Sequence, residues 1–221
     1  MAHTSPDLIH ALCLLMILTS FAAVESRDLR RATLAYLAQA AIICGLLVAY
    51  STWNKALLYW AATALATKVI LVPFFLWRST AGTRQEEKPI IGFRISAVLS
   101  IAMLVAMYKL THAHAELFIN IKGELAQVAQ TNLAVAFTVI SLGLYAILTR
   151  RDAIKTVIGL CLLENGVHLS LVSLAPTIKE TALAGIATEV VVTVYLLLYI
   201  IGGIREKFGT TDTFRLSDLH W

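Results

Sequence analysis

Two carboxylates stand where a carboxylate is costly. Glu164 lies in the run Cys161-Leu162-Leu163-Glu164-Asn165-Gly166-Val167-His168-Leu169, and Glu189 ends the run Gly185-Ile186-Ala187-Thr188-Glu189. Each run sits in a stretch apolar and long enough to cross a bilayer. At ~1.5 Å per helical residue, Glu164 is ~14 Å beyond Lys155 and Glu189 ~12 Å beyond Thr181, near the middle of a ~30 Å hydrocarbon core. An ionised carboxylate there costs at least ~2.5 kcal/mol, which brings its charged and protonated forms into competition. Such a group can take up and release protons.

His168 follows Glu164 by four residues on the same helical face, and an imidazole with a reference pKa near ~6.5 suits a second station. Lys68 is the cationic counterpart, too deep between Lys55 and Arg78 to reach either surface comfortably. Ala61 and Ala64 precede it on one face, small where helices approach closely. Pro73 then removes a backbone donor, which can kink the helix or free a carbonyl. Glu164, His168, Glu189 and Lys68 thus form a candidate midplane relay for protons or ions. The plainer alternative is a static ion pair of Lys68 with one carboxylate, but two carboxylates, an imidazole and an amine exceed what pairing requires. His10, in the first span, reads as a packing residue, and Gly185 and Ala187 as helix contacts.

The elements that must carry these residues are transmembrane helices. Of the 221 residues, 58% are hydrophobic and 14% charged, and the mean hydropathy is +0.76, outside the range of a water-soluble domain. Seven apolar stretches, at roughly 8–24, 33–51, 55–78, 90–111, 128–149, 153–175 and 181–203, predict an all-α polytopic membrane protein with room for no sizeable soluble domain. The fourth carries Arg94 and Lys109, which must snorkel toward headgroups. Thirteen Lys and Arg fall in loops on one side, among them Arg27, Arg30, Arg31, Arg150, Arg151 and Lys155, against four on the other, Lys55, Lys109, Lys122 and Lys179. That places the N-terminus outside and the C-terminus in the cytoplasm. Tyr50, Trp53, Trp77 and Tyr108 fall at span boundaries as interfacial anchors. The first span lacks a basic leader and a cleavage site, so it reads as retained.

The basic clusters follow topology and argue against nucleic-acid binding. Cys13, Cys44 and Cys161 lie in apolar runs without a CxxC spacing, which predicts small buried hydrophobes and no cofactor in this chain. His112, His114 and Glu116 alternate in the outer segment 112–127, a pattern that could ligate a metal but reads better as surface solvation. The tail from Arg205 to Trp221 either docks on another protein or is an ordinary disordered end. No nucleophile-base set or metal cluster suggests an autonomous enzyme.

From about Asn132 onward the chain resembles the K subunit of respiratory complex I and the corresponding subunit of multi-subunit cation/proton antiporters, through three spans, the turn Thr149-Arg150-Arg151-Asp152, the Gly159-Leu160 pair and one acidic residue in each of the last two helices. Over nearly its whole length it is similar to the hydrogenase-4 component E family, through the runs around Glu164 and Glu189 and through Ala66-Thr67-Lys68-Val69-Ile70-Leu71-Val72-Pro73. Aligned without a gap from Arg150-Arg151, the K-type acidic position falls on Cys161, one turn before Glu164 on the same face. The last carboxylate, Asp in some hydrogenase relatives, is Glu189 here.

The resemblance implies a region 1–127 of four helices, a K-like region 128–203 and a tail 204–221. It further implies a non-catalytic membrane-arm subunit of a proton-translocating nickel-iron hydrogenase in a prokaryotic inner membrane, beside antiporter-like subunits, with the nickel-iron centre and iron-sulfur clusters in partner subunits. A subunit of a sodium/proton antiporter and a structural scaffold are the alternatives.

Overall fold

The computed structural model describes residues 6–52, 54–80, 87, 89–117, 124–174 and 180–216. In chain order these form α1 (Pro6–Glu25), α2 (Leu29–Tyr50), α3 (Ala56–Ala64), a π-helical segment (Leu65–Leu71), α4 (Val72–Thr80), α5 (Phe93–Ala113), a 3-10 turn (Ala115–Leu117), α6 (Glu124–Thr149), α7 (Ala153–Leu174), α8 (Glu180–Phe208) and the short α9 (Thr213–Leu216). Among the described residues, six helical stretches are long and apolar enough to cross a membrane: Leu8–Glu25, Leu29–Tyr50, Ala56–Thr80, Phe93–Ala113, Val128–Thr149 and Ala153–Leu174. They match the first six predicted spans to within a few residues. The protein is an all-helical, multi-pass membrane protein.

Local chemistry sets the breaks. Asp28 caps α2, its side chain accepting from the backbone N–H of Arg30 at 2.7 Å and of Arg31 at 3.3 Å. Gly92, at φ +82°, turns the chain into α5, a conformation in which an L side chain is strained.

The tightest contact is between α6 and α7. A Cβ placed on Gly143 would lie 2.6 Å from the backbone N of Leu163 and 2.7 Å from the carbonyl O of Gly159; one on Gly166 would lie 2.8 Å from the carbonyl O of Ala136. Backbone cannot yield as a side chain does, so these glycines set the helix separation. Gly143→Ala is expected to cost about 1–3 kcal/mol, the usual penalty for overpacking, and to lower the unfolding temperature in detergent by several degrees. An unchanged unfolding temperature would show that the two helices separate freely.

Helix α5 lies at the edge of the bundle with its chemistry reversed from that of a soluble protein. Ser96, Ser100 and Thr111 are buried, while Ile95, Val98, Ile101 and Leu110 are exposed. Small polar groups toward neighbouring helices and branched apolar ones outward is what a lipid surround selects. Arg94 and Lys109 are both exposed, as snorkelling requires.

The end of the bundle that carries Arg150 is closed by buried charge. Arg150 reaches back between helices to Glu25 at 2.5 Å and Glu87 at 3.4 Å, and also donates to the hydroxyl of Ser96 at 2.8 Å. Tyr145 donates to the same hydroxyl at 2.9 Å. Lys155 is fully buried and donates to the carbonyls of Ala23 and Val24, at 2.6 and 2.8 Å, capping the C-terminus of α1. Both cations had been counted from sequence as loop residues; here they turn inward.

The tail also differs from both sequence readings over its described part. The backbone N–H of Ala153 and Thr213 donate to Thr211 and Arg151 at 3.0 and 2.9 Å, Thr211 donates to Asp152 at 2.6 Å, and the Arg151 guanidinium lies 4.5 Å from the Phe214 ring centre. Residues 210–214 therefore dock on the chain's own α6–α7 turn. Burial pushes the Asp152 carboxyl above its ordinary range, while hydrogen bonds from the Thr211 hydroxyl and the Ile154 and Lys155 backbone pull it down. The remaining residues, 217–221, lie outside the described ones.

Candidate functional site

Lys68 is placed by an irregular helix. The π-helical segment Leu65–Leu71 joins α3 to α4, and the backbone N–H of Val72 donates to Thr67, five residues back. The same register would assign the Lys68 carbonyl to the N–H of Pro73, which proline lacks. The backbone irregularity expected from Pro73 thus falls on Lys68 itself, and π insertions gather at functional positions. Ala61 and Ala64, on the face read from sequence, are buried as expected.

The Lys68 side chain, 1% exposed, crosses to α7. Its Nζ lies 2.9 Å from Oε1 of Glu164, donates to Oδ1 of Asn165 at 2.7 Å, and meets Nδ1 of His168 at short range. An ammonium has three protons, and three acceptors converge on it. Nδ1 of His168 then accepts, so the ring proton belongs on Nε2, which faces Glu164 Oε1 at 3.4 Å. Trp60 packs edge-on against the imidazole, with ring centres 5.0 Å apart. Lys68, Glu164 and His168, three of the four residues singled out from sequence, are brought into mutual contact.

The fourth, Glu189, stands apart from that contact, exposed on α8. Glu164 and Glu189, with Cys161, His168 and Thr193, line a cavity of about 290 Å³ between α7 and α8. A volume of this size and lining can hold water. Glu164 is 20% exposed, and one side of its carboxylate meets the sealed ammonium while the other borders the cavity. Cys161, at the position that a K-type alignment gives to the acid, lines the same cavity, so one turn of displacement has kept the side chain on the same face.

Three neutral partners were not anticipated. Asn165 Nδ2 donates to Oε1 of Gln39 at 2.7 Å, Nε2 of Gln39 faces the Ser20 hydroxyl at 3.3 Å, and that hydroxyl donates to the Met16 carbonyl at 2.7 Å. Gln39, Asn165 and Ser20 are each fully buried. This thread ties α1 and α2 to the lysine and fixes the Asn165 oxygen toward it.

The other sequence candidates stay apart from this cluster. His10 is half-buried on α1, whereas His112, His114 and Glu116 are exposed, with His112 stacked on Tyr108 at 5.9 Å between ring centres. Among the described residues no group of three or more His, Cys, Asp or Glu could hold a metal ion. All three cysteines are free and buried; Cys13 donates to Oδ1 of Asn132 at 2.8 Å.

The chain can be placed among known proteins. Residues 131–221 match the family model of NADH-ubiquinone/plastoquinone oxidoreductase chain 4L. Hydrogenase-4 component E of Escherichia coli (strain K12) is 30% identical over 220 residues, 98% of this chain and 99% of the relative, and the protein of the same description from Shigella flexneri matches equally. An uncharacterized protein of Mycobacterium tuberculosis is 23% identical over 209 residues, 92% of each chain. No solved structure matches the chain.

Proposed function

The chain belongs to the hydrogenase-4 component E family, and from that premise we propose that it relays protons in the membrane arm of a complex I-like, nickel-iron hydrogenase. The coarser part of that reading, a membrane-arm subunit of a complex I-like assembly, follows from the family and from its match to chain 4L. One observation carries the relay. Glu164 pairs with a sealed ammonium at 2.9 Å and also borders a cavity that holds a second carboxylate.

That geometry gives Glu164 two competing partners. A proton passed from Glu189 through the shared cavity neutralises Glu164 and removes the anion opposite Lys68. The ammonium, in a dry site, then gives up a proton more readily, and His168 is in contact to receive it at Nδ1. When Glu164 releases its proton to the cavity and the imidazolium of His168 returns its proton to Lys68, the carboxylate–ammonium pair is restored and the site is reset. Redox energy released in metal-bearing partner subunits would drive the cycle by shifting charge along the arm. Moving one charge across ~100 mV involves ~2.3 kcal/mol, equal to about two pKa units. α8 forms the seventh crossing in this reading, the basic end faces the cytoplasm of a prokaryotic inner membrane, and antiporter-like subunits lie alongside.

Glu164→Gln and Glu189→Gln keep shape and remove the titrating group. Each is expected to lower proton uptake per hydrogen turned over at least fivefold in inverted vesicles, with the complex assembled in normal amount. Unchanged pumping in both variants would eliminate the relay. Copurification with antiporter subunits alone, and no nickel-iron subunit, would favour the sodium/proton antiporter reading.

A further inference from the structure

A buried donor beside the relay has no acceptor. Tyr36, on α2, is fully buried in the same cluster as Cys161 and Leu162 of α7, and among the described residues its hydroxyl makes no hydrogen bond. Cys161 and Glu164 are the ionisable groups whose charge it feels most, ahead of Cys44. The Cys161 thiol is a weak acceptor, itself buried. A buried hydroxyl left unpaired is destabilising, and a native structure keeps such a group for a reason. Counted from Leu29 and Ala153, where α2 and α7 start at the end that carries Arg150, Tyr36 and Cys161 stand ~10 and ~12 Å into the bundle, with Glu164 ~4.5 Å beyond. Tyr36 therefore lies about one turn nearer that end than the carboxylate now paired with Lys68.

We infer that the Tyr36 hydroxyl is a second docking point for the Glu164 carboxyl, taken up when that group is neutral and has left Lys68. The inference rests on the relay proposed above and adds to it the place where the acid waits. Helical side chains slope toward the N-terminus of their helix, which for Glu164 is toward Cys161, and several free torsions let the carboxyl cross one turn. Cys161 and Glu164 line the same cavity, so the movement stays within it. An ammonium outcompetes a hydroxyl for the anion, and that advantage goes when the carboxyl gains a proton. The neutral acid keeps a carbonyl oxygen that can accept from the phenolic O–H. Held at Tyr36, it stands clear of Lys68 while the ammonium passes its proton to His168, so the acid's own proton cannot fall back on the neutral amine. Tyr36 acts through Glu164, as a positioning residue.

Tyr36→Phe, made in the intact complex, removes the oxygen and little else. Proton uptake per hydrogen turned over in inverted vesicles is expected to fall at least threefold. The unfolding temperature of the purified chain should be unchanged or raised, because no bond is lost. The discriminating reading is spectroscopic. In the acid-minus-alkaline infrared difference spectrum, the protonated-carboxyl band that Glu164→Gln abolishes belongs to Glu164, and a carbonyl deprived of its donor vibrates at higher frequency. That band should move up in Tyr36→Phe. The relay and the docking point fail differently. Normal pumping in Glu164→Gln and Glu189→Gln would remove the relay and the docking point with it. Lost pumping in Glu164→Gln, beside full pumping and an unmoved band in Tyr36→Phe, would leave the relay and end the docking point. Reduced pumping in Tyr36→Phe with the band unmoved would assign the ring a packing role and overturn the inference. A fall of several degrees in the unfolding temperature would show the hydroxyl bonded at rest and remove its premise.

Discussion

Lys68→Met is expected to lower proton translocation per hydrogen turned over by at least tenfold, with the subunit still present in the assembled complex. Methionine retains most of the volume and helix propensity of lysine, so the change is mainly the loss of one charge. What remains is Glu164 facing an apolar side chain, with Asn165 and His168 each short of a donor. Opposite charges ~4 Å apart attract by about 4 kcal/mol at an effective dielectric of 20, so the loss exceeds the ~1.4 kcal/mol that makes a factor of ten. The carboxylate escapes the cost by keeping its proton, and a station that keeps its proton passes none on. Lys68→Arg, which keeps charge in a wider and more rigid head, should recover part of the activity. Dye-quench measurement of acidification in inverted vesicles, normalised to subunit content and hydrogen turnover, distinguishes the outcomes. Full coupling in Lys68→Met would mean that the ammonium is only a structural plug.

The sequence made Lys68, Glu164 and His168 visible for the same reason that it made the spans visible: a titratable group in the middle of an apolar stretch is conspicuous against its surroundings. It could not make Asn165, Gln39 and Ser20 equally visible, because neutral amides and hydroxyls are common in and near membrane helices and their worth depends on what they face. Asn165 adjoins Glu164 in sequence but points toward α2, since successive helical residues are rotated by ~100°. Gln39 had one usable signal, its depth near the middle of an otherwise apolar run.

The inward turn of Arg150 and Lys155 was not legible for a different reason. A count of basic residues by loop reports which side they belong to and is blind to whether a side chain then turns inward. Their partners are far along the chain, Glu25 and Glu87 for Arg150 and the end of α1 for Lys155, so no local pattern links them. The same blindness hid the fold-back of residues 210–214, which depends on a partner some sixty residues earlier.

The inward turn of Arg150 carries the largest stability effect expected in the molecule. Its guanidinium is wholly buried against two carboxylates that are nearly so, the Glu25 and Glu87 side chains being 6% and 1% exposed. Arg150→Met leaves both acids without that cation, and breaking such a buried group by removing one partner costs about 3–5 kcal/mol. An unfolding temperature lower by about 10 °C is the expected reading in detergent, with less subunit accumulating in membranes. Simple loss of packing would give a similar number, so the pH dependence has to decide. Burial pushes the Glu87 carboxyl up, while Lys155 and Arg150 pull it down. A carboxyl whose folded pKa lies above its unfolded value costs stability when ionised, and that cost fades as pH falls through the folded pKa. Removing Arg150 takes away one of the downward pulls, so the folded pKa climbs further and the penalty at neutral pH grows. The deficit of Arg150→Met relative to the parent should therefore narrow as pH is lowered from 7 toward 5, and Glu87→Gln in the same chain should recover part of it at pH 7. A deficit that stays constant over this interval, with no rescue by Glu87→Gln, would assign Arg150 a packing role and leave the closure of this end to Lys155 and the docked tail.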